Sequence, residues 1–107
     1  MEVLAYVETL GGCPFRNWFA DLNPQAASRI TIALKRLEQG NFSNVKSVGS
    51  GVFEYRINVG PGYRVYFGHD GETLIILLGG GTKQRQELDI AAAHERWADY
   101  KRRKKGR

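Results

Sequence analysis

With 107 residues, 42% of them hydrophobic and 25% charged, the chain is long enough to bury one core, too short for two, and unlike a disordered segment or a disulfide scaffold. Its one cysteine, Cys13, cannot close an internal disulfide, the opening Met1-Glu2-Val3-Leu4 lacks the pattern of a signal peptide, and the longest apolar run, Leu74 to Leu78, falls short of the about 20 residues of a membrane span; a cytoplasmic protein with no membrane role is expected. The net charge of +5 is concentrated at one end, since residues 101–107 hold 6 of the 16 basic side chains and no acid, against 10 basic and 11 acidic groups in residues 1–100.

Glu2 to Leu10 mixes Val3, Leu4, Tyr6 and Val7 with polar neighbours and stops at Gly11-Gly12, the pattern of a strand and its turn. After Pro14, the residues Phe15, Trp18, Phe19 and Leu22 recur at the spacing of one helical face, which predicts a first helix. Asn23-Pro24 restarts the chain, because Asn caps free backbone N–H groups and Pro suits the first helical turn. The second helix carries a stripe of Ala26, Ile30, Leu34 and Leu37, with Gly40 placed for a left-handed C-terminal cap, so the two form a helical hairpin.

A loop from Asn41 to Gly51 leads into three strand-like runs. In the first, Phe53, Tyr55, Ile57 and Val59 alternate with Glu54, Arg56 and Asn58, which gives one apolar and one polar face. The second runs from Tyr63 to Phe67 after Gly60-Pro61-Gly62, and the third, Glu72 to Leu78, follows an Asp70-Gly71 hairpin turn. Thr73 to Leu78 is apolar on both sides, so this strand is expected to be covered on both faces. From Gln86 to Arg103 a last helix carries Ile90, Ala93, Trp97 and Tyr100 on one side. The order predicts one α+β domain over residues 1–100, an antiparallel sheet with an N-terminal helical hairpin and a C-terminal helix, followed by a basic tail at 101–107 with an auxiliary role.

The polar face of the meander is where chemistry is expected. Glu54, Arg56 and Arg64 are not needed for folding, and pairing through the Gly60-Pro61-Gly62 turn sets Arg56 and Arg64 side by side. Two adjacent guanidiniums call for an anion: Glu54 either pairs with them structurally or orients them for a phosphate. Lys46 and Lys83 add cations at the two ends of this face, and Gly79-Gly80-Gly81 either lets a ligand approach the backbone or serves as a flexible exit from the strand. Tyr66, on the Arg64 face, is the aromatic candidate for stacking on a base. His69 and His94 are far apart in sequence and Cys13 stands alone as a small core residue, so no metal, no cofactor and no thiol chemistry is expected.

Three stretches resemble a known family: Val45 to Ile57 with its Glu54-Tyr55-Arg56, then Gly60-Pro61-Gly62-Tyr63-Arg64-Val65-Tyr66-Phe67, then Leu78-Gly79-Gly80-Gly81-Thr82-Lys83 followed by Asp89-Ile90-Ala91-Ala92-Ala93. The chain is similar to the HigB-like "addiction module killer" branch of the RelE/ParE toxins, and the likeness extends to the helical hairpin around Ala27-Ser28-Arg29-Ile30. The resemblance implies a toxin of a type II toxin–antitoxin pair, with a cognate antitoxin as partner and with the ribosome and messenger RNA as targets. In its RNA-cutting members the 2′-hydroxyl attacks the adjacent phosphate, and cations stabilise the transition state. Carried over by position, Arg64 and Lys83 grip the phosphate, Arg56 and Lys46 bind RNA, and Glu54 is base or orienter. The RNA-cutting prototypes have a tyrosine where this chain has Asp89, which leaves the general acid and base unassigned. Two rival readings share the pattern, a ParE-like gyrase inhibitor and an RNA-binding module without catalysis. The cluster of Arg56, Arg64 and Lys83 favours RNA cleavage over the first, and the missing acid and base sustain the second.

Overall fold

The computed structural model describes residues 1–106; Arg107, the last residue of the basic tail, lies outside the described residues. The order is β1 (Glu2–Ala5), α1 (Pro14–Ala20), α2 (Pro24–Glu38), β2 (Val45–Ser47), β3 (Val52–Ile57), β4 (Tyr63–Asp70), β5 (Leu74–Thr82), a 3-10 turn (Lys83–Arg85) and α3 (Gln86–Lys105). This is an α+β fold, with the strands ordered β1-β5-β4-β3-β2 in one sheet.

The expected restart at Asn23 is present, its side chain accepting the backbone N–H of Ala26 at 2.9 Å, and Gly40 takes the left-handed conformation after α2 (φ 76°). Two expectations are corrected. The sheet is mixed, not wholly antiparallel, because β1 runs parallel to β5 with Val3 beside Ile75 and Leu4 beside Ile76. A parallel neighbour needs a long crossover, and α1, α2 and the meander up to β4 together supply it. In addition, the loop from Asn41 to Gly51 contains β2, whose Lys46 pairs with Glu54.

Helices cover both faces of the sheet. On one face Phe15 of α1 and Ile30, Ala33 and Leu37 of α2 pack on Tyr55, Val65, Phe67, Ile75 and Leu77. On the other, Ala93 and Trp97 of α3 pack on Tyr6, Val52, Tyr66, Ile76 and Leu78. The unbroken apolar run of β5 is thereby explained: alternate side chains enter the two cores. His69, next to the Asp70-Gly71 turn, is half-buried against the rings of Phe42, Phe53 and Phe67.

The three glycines of β5 are packing residues. A Cβ on Gly80 would collide with the Trp18 ring from α1, whereas one on Gly79 would stand 2.7 Å from Arg96 Nη1 and one on Gly81 would strike the Asp89 carboxylate, both from α3. A helix thus reaches the strand backbone on each face, which accounts for the triplet without a ligand or a flexible exit. The basic segment continues α3 through Lys105 and is tied down by Lys104 to Asp70 and by Arg103, which donates to Asp99 (2.9 Å) and to the Val7 carbonyl (2.6 Å).

Candidate active site

Direct cross-strand partners share a sheet face, so the register lays out the site as rows. One row is Arg56, Arg64 and Gly81; the next is Lys46, Glu54, Tyr66 and Gly79. Both rows face α3. At the bulge beside Tyr66 the β4–β5 register skips Leu78, whose carbonyl accepts Arg96 Nη1 at 2.9 Å. Helix α3 therefore crosses the rows with Asp89 over Gly81 and Arg96 over Gly79.

The expected polar face is consequently not a solvated surface. Glu54 is 0% exposed, Arg64 4% and Tyr66 0%. Tyr66 cannot serve as an exposed stacking platform: its ring belongs to the core beneath α3, which corrects its sequence-based role. Alternation in a strand reports which residues share a face and is blind to what later covers it.

Glu54 is the hub. It accepts Arg56 Nε at 2.6 Å and Gln86 Nε2 at 2.9 and 3.1 Å, and Arg64 Nε stands 3.9 Å away, an ion pair too long for a hydrogen bond. Of the two roles open to it, this geometry fits the orienter, because a fully buried carboxylate with both oxygens taken by Arg56 and Gln86 has no free approach for substrate. Arg56 keeps 37% of its side chain exposed. The Arg64 guanidinium turns toward the Gly60-Pro61-Gly62 corner, where Nη1 donates to the Tyr63 carbonyl at 3.1 Å. Lys83 meets the same corner: its backbone N–H donates to the Gly62 carbonyl at 2.9 Å, and a Cβ on Gly62 would lie 3.3 Å from Lys83 Cβ and 3.4 Å from Arg64 Nη1. Arg56, Arg64 and Lys83 are thus brought together, with the lysine exposed, while exposed Lys46 stands on the far side of Glu54.

Three buried side-chain atoms among the described residues have no hydrogen-bond partner in the protein, namely Arg64 Nε, Tyr66 Oη and Asp89 Oδ2, and all three belong to this site. Burial, then the nearby carboxylates of Glu54 and Asp89, pushes the Tyr66 phenol well up and keeps it neutral. Burial also raises the Asp89 carboxyl, against the opposing pull of Arg85 and Arg96.

Sequence reading missed Gln86 and Arg96 and gave Asp89 no role. Their signal was present, since they interrupt the apolar stripe of Ile90, Ala93 and Trp97 at helical spacing, and polar residues on a buried stripe mark a site.

Residues 17–98 match the family described as phage derived protein Gp49-like (DUF891). An uncharacterized protein of Haemophilus influenzae is 46% identical over 80 residues, spanning 74% of this chain and 81% of its own. The family match runs from α1 into α3 and takes in every residue of the site, and on that footing the chain belongs to the phage-derived Gp49-like (DUF891) family, which is associated with toxin–antitoxin toxins.

Proposed function

We propose that this protein is the toxin of a type II toxin–antitoxin pair with a RelE/ParE-type fold, and that it cuts messenger RNA on the ribosome. The observation that carries this reading is the cation cluster of Arg56, Arg64 and Lys83, held at one corner of the sheet beside buried polar atoms that lack partners. In the reaction the RNA 2′-oxygen bonds to the adjacent phosphorus as the bond to the 5′-oxygen breaks, leaving a 2′,3′-cyclic phosphate and a 5′-hydroxyl. Negative charge gathers on the phosphoryl oxygens during that step, and guanidinium and ammonium groups held in place beforehand stabilise it.

Arg64, fixed by its Tyr63 contact and its place opposite Arg56, and Lys83, beside it at Gly62, are the groups for that charge. Glu54 acts through Arg56 and is a positioning residue. Arg56 and Lys46 extend the cationic track toward the RNA backbone. The antitoxin, a protein, is the neutralising partner. Since residues 1–100 are near neutral, naked RNA is held weakly by charge alone, and the ribosome supplies the docking.

The test is mapping of messenger RNA 5′ ends in purified translation reactions with and without ribosomes. Ribosome-dependent cuts are expected from the unaltered protein, and Arg64→Ala or Lys83→Ala, checked for folding, is expected to lower the rate by about 10²–10³-fold. Growth arrest in cells without any cut would overturn the reading in favour of a gyrase-directed toxin.

A further inference from the structure

The geometry points to Asp89 as the general acid of the cleavage reaction, the group that protonates the departing 5′-oxygen; this rests on the ribonuclease reading above. Asp89 stands in the first turn of α3, directly over Gly81, and Gly81 is the register partner of Arg64. Glycine at 81 is what admits it, because any side chain there would strike its carboxylate. One oxygen, Oδ2, is buried in the protein without a partner, while the residue as a whole is only half-buried.

The groups around it suit an acid. The charged groups that act on it are Arg85 from the 3-10 turn and Arg96 from α3, and the neutral Tyr66 phenol of β4 lies within reach of its charge. The two guanidiniums at Arg85 and Arg96 favour the carboxylate that forms when the proton leaves, and burial favours the protonated form that must exist before it leaves. The proton count closes with water: the 2′-hydroxyl proton passes to water, the Asp89 proton passes to the 5′-oxygen, and Asp89 regains its proton from solvent.

A structural alternative for Asp89 makes the opposite forecast. If it were retained for folding, Asp89→Asn would lower stability. An acid kept in a desolvated place for chemistry gains nothing from its charge in the folded state, so Asn should leave stability equal or higher.

The experiment compares the unaltered protein, Asp89→Asn and Asp89→Glu for ribosome-dependent cleavage over a range of pH, together with urea unfolding at pH 7. Expected are a loss of at least about 100-fold in Asp89→Asn, disappearance of the fall in rate at rising pH, partial return with Asp89→Glu, and undiminished stability of Asp89→Asn. Cleavage by Asp89→Asn within a few-fold of the unaltered protein, or a clear loss of its stability, would overturn the assignment while leaving the ribonuclease reading intact. Absence of cleavage by the unaltered protein would overturn both.

Discussion

Gln86, the first residue of α3, donates its side-chain amide to both oxygens of Glu54, at 2.9 and 3.1 Å. The same carboxylate takes Arg56 Nε at 2.6 Å, so one buried anion joins the start of the last helix to the middle of the sheet. The position of Asp89, one turn further along α3, is fixed by that link as well as by its own contact with Gly81.

Removing Glu54 should therefore be the most disruptive change in the site. Glu54→Ala leaves Arg64 buried beside no anion, and the expected loss is about 3–5 kcal/mol by urea unfolding. Gln86→Ala removes hydrogen bonds to a charged acceptor and should cost about 1.5–3 kcal/mol. A loss from Glu54→Ala under about 1 kcal/mol would deny the carboxylate its role as hub.

The glycine triplet yields a second forecast. Gly80→Ala forces its methyl into the Trp18 ring, and overpacking of this kind costs about 1–3 kcal/mol. Trp18→Ala in the same chain should return part of that loss, read as coupling in a double-mutant cycle. Simple additivity of the two changes would refute the contact.

Acid titration should separate two kinds of carboxyl group. Asp70, which receives hydrogen bonds from Lys104 and Tyr100, and Asp99, which receives one from Tyr6, are both held below the usual carboxylate range. Their contribution is present above the unfolded value of about 3.9 and fades as pH falls through their lower folded values. Asp89 behaves inversely: its contribution is greatest below about 3.9 and is lost as pH rises through its raised folded value. Asp70→Asn should flatten the acid limb of a stability profile, and Asp89→Asn should flatten the stretch above it. Unchanged profiles in both variants would contradict these assignments.

The basic end of α3 admits a charge test that spares its anchors. Lys101 and Lys105 are exposed, whereas Arg103 and Lys104 secure the helix to the Val7 carbonyl beyond β1 and to Asp70. Lys101→Gln with Lys105→Gln should weaken ribosome association at low salt and reduce its salt dependence without loss of folding. Identical salt dependence would remove this segment from RNA contact.

Much was legible in the chain itself. Proline, asparagine and glycine punctuate the helical hairpin, alternation marks β3, the continuous apolar run of β5 announces burial on both sides, and the helical stripe of Ile90, Ala93 and Trp97 marks α3. These are local signals, set by backbone conformation and by the period of each element. The pairing of Arg56 with Arg64 was legible too, because a short turn fixes the register of a hairpin.

What lies over the polar face was decided only by tertiary structure. A strand's pattern separates its two faces without saying which meets water, and Glu54, Arg64 and Tyr66 were buried by a helix that follows them in sequence by more than a full strand. The parallel seat of β1 beside β5 likewise depends on pairing the first and last strands, which no local period encodes. Asp89 owes its meaning to the same long-range packing: only when α3 lies across Gly81 does an ordinary first-turn aspartate become a desolvated carboxyl group over the strand position paired with Arg64.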